Sequence, residues 1–146
     1  MIAEEFIAGQ ELTASILAEA NSGADIALPL VRIEAPQGNY DYQNKYFTND
    51  VRYHVPAGIR AEVEEEIRKV AVKSFRVLGC RGWGRADVML RPDGSFSFLE
   101  MNTSPGMTGH SLVPMAAKAT GLDYPSLCVR ILEAATLDGT PQGLIR

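Results

Sequence analysis

The sequence has little of anything that marks an unusual environment. It holds only two cysteines, Cys80 and Cys128, with no CxxC spacing. They read as reduced thiols of a cytoplasmic protein, although spacing alone leaves a disulfide open. No apolar run approaches the roughly 20 residues that span a bilayer. The start, Met1-Ile2-Ala3-Glu4-Glu5, lacks the basic segment and long apolar core of a signal peptide. Positive charge is not in excess: the formal net charge is −4, and the lysines and arginines are dispersed. Neither nucleic acid nor a membrane surface is therefore an expected partner, while a local phosphate site is still allowed. There is no internal repeat and no low-complexity tract. What remains is 146 residues, 46% hydrophobic and 22% charged, which fits one globular domain.

Met1–Ile7 reads as a strand, Ala8-Gly9-Gln10 as a tight turn and Glu11–Leu17 as the returning strand. A domain rarely opens in mid-hairpin, so the chain is expected to be a piece of something larger. Asn21-Ser22-Gly23 is a turn, and Leu28–Ile33 a strand with Pro29 at its beginning or on an edge. Residues 35–52 form a long polar loop. Its four aromatics, Tyr40, Tyr42, Tyr46 and Phe47, favour function over disorder. Tyr53–Pro56 is a short strand with His54 on an exposed edge. Residues 60–78 are the clearest helix: Val63, Ile67, Val70, Ala71, Phe75 and Leu78 recur every three or four residues. Glutamates crowd its first turns, basic residues follow, and Gly79 is the expected stop. A second helix covers Leu112–Ala119, N-capped by Ser111 and ended by Gly121. Pro114 allows its start to move by a residue or two. Tyr124-Pro125 opens the last helix, with Leu127, Ile131 and Ala135 along one face. Trp83 and Phe75 read as core residues, and His110 as structural.

The chemistry concentrates in Gly84–Leu90, Arg91-Pro92-Asp93-Gly94 and Ser95–Asn102. These are two alternating runs around a turn, with acids recurring on one parity. A two-residue Asp93-Gly94 loop places Asp87 opposite Glu100 and Arg85 opposite Asn102. A four-residue loop keeps the faces and staggers the pairs. A three-residue Pro92-Asp93-Gly94 loop with a bulge places Asp87 opposite Leu99. Even loops give an apolar face of Ala86, Val88, Leu90, Ser97, Leu99 and Met101, so an even loop is preferred. The other face is then Arg85, Asp87, Met89, Phe96, Phe98, Glu100 and Asn102. Two opposed carboxylates have Cβ atoms only about 5 Å apart, so one pKa should rise unless a cation intervenes. Mg²⁺ takes oxygen ligands and combines one or two carboxylates with substrate phosphates, which suits Asp87, Glu100 and the Asn102 amide oxygen. Arg85 on the same face could neutralise charge on a phosphoryl or acyl-phosphate group. A plain solvated sheet face is the competing reading.

Gly82-Trp83-Gly84-Arg85-Ala86-Asp87-Val88-Met89, then Leu99–Thr108 and His110-Ser111-Leu112-Val113-Pro114, closely resemble the D-alanine–D-alanine ligase family of the ATP-grasp superfamily. The resemblance runs to about Ala135. It implies an α+β fold, the C-terminal subdomain of an ATP-grasp domain over 1–137, a mostly antiparallel sheet with flanking helices, and a mobile tail at 138–146. It also implies ATP-dependent joining of two D-alanines through an acyl phosphate, for peptidoglycan synthesis.

By motif position, Asp87, Glu100 and Asn102 resemble the ligands of two Mg²⁺ ions, with Mn²⁺ as the alternative metal. Arg85 resembles the residue that stabilises the transferred phosphoryl group, and Gly106 contributes its amide to the oxyanion site. Ser111 and Leu112 would hold the carboxylate of the second D-alanine. That agrees with the affinity of helix N-termini for anions, and Ser111 can cap the helix as well. Glu4 and Ile7 match the adenine-binding strand. Glu11 matches the ribose ligand, although without the resemblance it is equally a surface strand residue. Lys45 matches a phosphate contact on a closing loop. Tyr46 matches the form associated with D-alanine rather than D-lactate. Glu5 departs from a common Lys and Gly109 from a common Ser. The phosphate-binding lysines, glycine-rich loop and N-terminal domain of the family have no counterpart here. The chain is thus expected to be the C-terminal part of such a ligase, inactive alone, with a homodimer left open. The alternatives are a D-alanine–D-lactate or other ATP-grasp carboxylate–amine ligase, or a non-catalytic folding or dimerisation fragment.

Overall fold

Along Gln10–Ala18 (β1), Leu12, Ala14 and Ile16 point to one side and Thr13, Ser15 and Leu17 to the other, all six buried. A strand buried on both faces belongs in the middle of a sheet. A computed structural model, which describes residues 3–19, 24–35 and 51–136, places it there. Asp25–Ala27 (β2) and Val31–Glu34 (β3) pair with one edge of β1, and Trp83–Leu90 (β5) with the other. Arg52–His54 (β4) lies outside β3, and Phe96–Asn102 (β6) outside β5. All the pairings are antiparallel, in the order β4-β3-β1-β5-β6, with β2 alongside β1.

That arrangement overturns the expected opening hairpin. Both edges of β1 are occupied, so nothing is left for the preceding residues to pair with. Residues 3–8, Glu4 and Ile7 among them, form no strand. Arg91, 3.7 Å from Glu5, ties this segment to the β5–β6 turn.

The strand expected over 28–33 splits in two. Thr13 pairs with Val31 and Ile16 with Ala27, so Ala14 and Ser15 face three residues, Leu28-Pro29-Leu30. Pro29 donates no ladder hydrogen bond and is tolerated at such a bulge. The helix Ala61–Val77 (α1) satisfies the interrupted backbone. Glu64 Oε1 accepts from Leu30 N at 3.2 Å, and Arg68 Nε donates to the Ala27 carbonyl at 3.0 Å.

The helix α1 presents Val63, Ile67, Ala71 and Phe75, one per turn, to the face bearing Leu12, Ala14, Ile16, Ala86 and Val88. Its end is a Schellman closure: Cys80 N donates to Phe75 O and Gly79 N to Arg76 O, with Gly79 at φ +70°. Leu78, expected on the apolar face, is the C-cap and 60% exposed, because the helix has already ended. The opposite face carries Leu17, Val31 and Ile33. It is covered by Leu112–Ala119 (α2) and Tyr124–Glu133 (α3) through Leu112, Val113, Ala116, Ala117 and Leu127. Pro114 sits in the first turn of α2, where no intrahelical bond is lost. Asp123 caps α3 by accepting from Ser126 N at 2.9 Å. Ala135 lies beyond the end of α3 and is exposed.

The result is an α+β layering with α1 on one face of the sheet and α2 and α3 on the other. Cys80 and Cys128 are free thiols. Among the described residues no helix is long and apolar enough to cross a membrane. The turn at 21–23, the loop bearing Lys45 and Tyr46, and the tail at 138–146 lie outside the described residues.

Candidate active site

The β5–β6 turn is the odd loop that the apolar pattern disfavours. Arg91 N donates to Ser95 O and Gly94 N to Arg91 O, which closes a three-residue Pro92-Asp93-Gly94 loop with Gly94 at φ +91°. Left alone, this register would set Asp87 against Leu99. A bulge between Asp87 and Val88 corrects it: Val88 pairs with Phe98, but Asp87 pairs with Glu100 and Arg85 with Asn102. Leu99 is the surplus residue and is 51% exposed. The expected polar end is therefore formed, whereas the expected apolar face is corrected. Phe96, Phe98 and Met101 pack on the α1 side, and neither Ser97 nor Leu99 does. The bulge lets one strand present Phe98 to one face and Glu100 to the other.

On the polar face, Arg85 donates from Nε to Asp87 Oδ1 and from Nη2 to Oδ2, both at 2.7 Å. Both side chains are only 13% exposed. Asn102 Nδ2 bridges the acids, donating to Asp87 Oδ2 and to Glu100 Oε1, each at 2.9 Å. Burial pushes the Asp87 carboxyl above its ordinary value, against the pull of Arg85, and Glu100 adds to the rise. The rise expected from opposed acids is present, with burial its first cause.

The donor set suits a hard divalent cation: two carboxylates and an amide, oxygen ligands on one half-buried face. No cluster of three His, Cys, Asp or Glu occurs among the described residues. A cation here would thus lean on the Asn102 amide oxygen and on ligands from outside, such as phosphates. Arg85 and the Asn102 amide hydrogens lie against the same Asp87 oxygens that a cation would use. The Asn102 amide would have to turn for its oxygen to coordinate.

The chain leaves β6 through residues 103–111 and re-enters the same layer as α2. Ser111 occupies the N-cap position, but its Oγ does not cap the helix. It accepts from Thr108 N at 3.0 Å and lies 2.9 Å from Thr108 Oγ1. A Cβ on Gly106 would stand 3.2 Å from Ser111 Oγ, so this loop brings two expected site residues together. Tyr124 Oη donates to Met107 O at 2.5 Å and pins the loop to α3. The Leu112 side chain is buried in the α2 core, which leaves only its backbone to meet a ligand. Glu11 shares the face of Asp87 and pairs with Met89, one end of the strand away. The structure thus gathers Arg85, Asp87, Glu100 and Asn102 directly, and puts Glu11 and the Gly106–Leu112 loop on the same side of the sheet. Glu4 and Ile7 are in irregular backbone.

Three residues that the sequence reading passed over also belong to this face or its loop. Tyr124 gave no signal, being only a helix opener. Thr13 and Ser15 alternate with Leu12, Ala14 and Ile16, a signal visible in the sequence as polar–apolar alternation. A groove of about 510 Å³ lies elsewhere, between Arg60 and the 91–94 turn.

The family model described as D-ala D-ala ligase C-terminus matches residues 1–133. The D-alanine–D-alanine ligase of Aromatoleum aromaticum is 62% identical over 94% of this chain and 42% of its own length. That of Cupriavidus necator is 60% identical over 97% of this chain, again 42% of its own length. The chain therefore spans about two fifths of these relatives. Among solved structures, the D-alanine–D-alanine ligase of Bacillus anthracis complexed with ATP superposes with a TM-score of 0.71 at 30% identity, covering 90% of this chain and 39% of its own. The VanG D-Ala:D-Ser ligase of Enterococcus faecalis gives 0.72 at 34% identity, covering 88% of this chain and 36% of its own. With its fold, its hairpin and 133 residues matched, the chain belongs to the D-alanine–D-alanine ligase C-terminal family.

Proposed function

We propose that this chain carries the metal- and phosphoryl-facing part of an ATP-dependent D-alanine–D-alanine ligase acting in the cytoplasm, for peptidoglycan synthesis. The observation that carries the reading is the half-buried Arg85–Asp87 fork, with Asn102 linking Asp87 to Glu100, on the sheet face that α2 covers. In the reaction, the γ-phosphoryl of ATP passes to the carboxylate of one D-alanine and ADP leaves. The amine of a second D-alanine then attacks the acyl carbon, phosphate departs and the amine loses a proton. Asp87, Glu100 and Asn102 would hold Mg²⁺ or Mn²⁺. When bound, such an ion neutralises charge on the transferring phosphoryl group. Arg85, released from Asp87, would lie against the phosphoryl oxygens and stabilise charge as it develops. Gly106 N would donate to the oxyanion. Ser111 and the Leu112 backbone amide would hold the second carboxylate, because first-turn amides lack intrahelical acceptors. Glu4, Ile7 and Glu11 would meet the nucleoside, Lys45 a phosphate and Tyr46 the second D-alanine.

The test is a chimera in which these 146 residues replace the matching part of the Cupriavidus necator relative. It should release phosphate from ATP only when D-alanine is present. Asp87→Ala and Arg85→Ala should each abolish that release. A folded chimera without activity, or one indifferent to Asp87→Ala, would refute the reading. Parallel assays with D-lactate and D-serine identify the second substrate. The chain by itself should bind Mg-nucleotide weakly and not turn over.

A further inference from the structure

Two buried hydroxyls lie on the polar face without a hydrogen-bond partner. Thr13 Oγ1 and Ser15 Oγ are both sealed from solvent, and the two residues are 1% and 0% exposed. A buried hydroxyl with no hydrogen bond made gives up its hydration without compensation. Valine or alanine would fill the same strand positions without that penalty, as Val31 and Leu17 do on the same face. Both hydroxyls are placed specifically: Thr13 pairs directly across the ladder with Asp87, and Ser15 with Arg85. Cross-strand Cβ atoms stand about 4.5–5.5 Å apart, so a side-chain rotation brings each hydroxyl within reach of its neighbour's charged group.

In the present arrangement those charged groups satisfy each other. The fork uses both Asp87 oxygens, and Asn102 takes a further lone pair on Oδ2. Three of the four lone-pair sites on Asp87 are thus occupied, so a cation reaches that carboxylate fully only as the fork opens. Opening leaves the Asp87 carboxylate and the Arg85 guanidinium with hydrogen bonds to remake beside the two hydroxyls.

We infer that Thr13 and Ser15 are positioning residues for the open state. Thr13 Oγ1 donates to the Asp87 oxygen turned away from the metal, and Ser15 Oγ accepts from the released Arg85. The unsatisfied hydroxyls of the closed fork are the partners of the open one. This rests on reading Asp87, Glu100 and Asn102 as the metal site. It adds an outer layer to that site, of the kind that fixes a ligating carboxylate.

The experiment measures Mn²⁺ binding to the chimera described above, at a fixed ADP concentration against a protein-free control, by the loss of the free-ion electron paramagnetic resonance signal, with metal-free thermal melting alongside. Thr13→Val should melt no lower than the wild type without metal, because it removes an unsatisfied hydroxyl. It should nevertheless bind Mn²⁺ about tenfold more weakly. Thr13→Ser should keep wild-type affinity within about threefold, the hydroxyl being retained. Ser15→Ala should show the same opposition of signs, and it serves as the second arm if Thr13→Val does not fold. A purely structural role would move melting and affinity in the same direction, and that result overturns the inference. So does wild-type affinity in both Thr13→Val and Ser15→Ala. Asp87→Asn separates the two levels. If it binds Mn²⁺ as the wild type does, or if the wild type binds none, the metal-site reading fails and the inference falls with it. If Asp87→Asn loses Mn²⁺ while the hydroxyl variants keep it, only the inference fails.

Discussion

Gly84 sets how closely α1 can approach the strand that carries Arg85 and Asp87. A Cβ built there would stand 2.8 Å from Phe75 Cε2, 3.2 Å from Phe75 Cδ2 and 3.1 Å from the Asn102 carbonyl oxygen. The Phe75 ring is fully buried among Leu12, Ile16, Ile67 and Ala71 and has nowhere to retreat, and the Asn102 contact is backbone. Overpacking of this kind costs about 1–3 kcal/mol. Gly84 is not in the left-handed region, so alanine recovers roughly 0.4–1 kcal/mol from the less flexible unfolded chain. Gly84→Ala should therefore destabilise by about 1.3 kcal/mol at the centre of the two ranges, and by about 2.6 kcal/mol at most. Urea titration should show a lower midpoint at unchanged slope. Melting should fall by roughly 2–4 °C per kcal/mol. Phe75→Leu shortens the ring that Cβ would strike, so in the double variant the two losses should not add. The cycle should return a favourable coupling of about 0.5 kcal/mol or more. A Gly84→Ala chain as stable as the wild type, or strict additivity with Phe75→Leu, would refute this account of the packing.

The bulge makes opposite demands on adjacent residues. Leu99→Ala should change stability by less than about 0.5 kcal/mol, whereas Phe98→Ala, packed on the α1 side, should lose about 1–3 kcal/mol in the same titration. A larger loss from Leu99→Ala would mean the ladder keeps the even register throughout. Arg68→Ala leaves the Ala27 carbonyl without its helix partner. For a part-exposed site it should destabilise by about 1–2 kcal/mol, with faster amide exchange through β2. Asp87 gives a pH test. Its carboxyl sits above the ordinary value of 3.8 because burial favours the neutral form. The folded chain therefore holds that proton more tightly than the unfolded one, and stability falls as pH rises from 3.8 through the raised value. Asp87→Asn should flatten the wild-type decline in that window, read as urea midpoints at successive pH values. An unchanged slope would place the proton elsewhere. Asp123 has the opposite sign: its cap on Ser126 holds the carboxyl low, so its contribution fades as pH falls, and Asp123→Asn should remove that acid sensitivity of α3.

The sequence by itself determined whatever depends on local periodicity and local turn chemistry. The spacing of Val63, Ile67, Ala71 and Phe75 defined α1 and its buried stripe, and Gly79 and Gly121 marked where α1 and α2 stop. The parity of Arg85, Asp87, Glu100 and Asn102 placed them at one end of one hairpin face, and the motifs around them carried the family. Tertiary structure decided what depends on which edges are free and on where a ladder slips. Residues 3–8 have an acceptable strand pattern, yet β1 has no edge left for them. Pro29 could sit at a strand start or in a bulge, and the Glu64 and Arg68 contacts across 34 and 41 residues made the bulge tenable. The hairpin shows the division most clearly. Its turn took the odd loop that Pro-Asp-Gly favours, and the apolar pattern alone argued against that loop. One surplus residue, Leu99, reconciled them, sending Phe98 to the α1 core and Glu100 to Asp87. A strand of period two cannot announce a one-residue slip in its own sequence, because each register is locally equivalent until a core is there to choose between them.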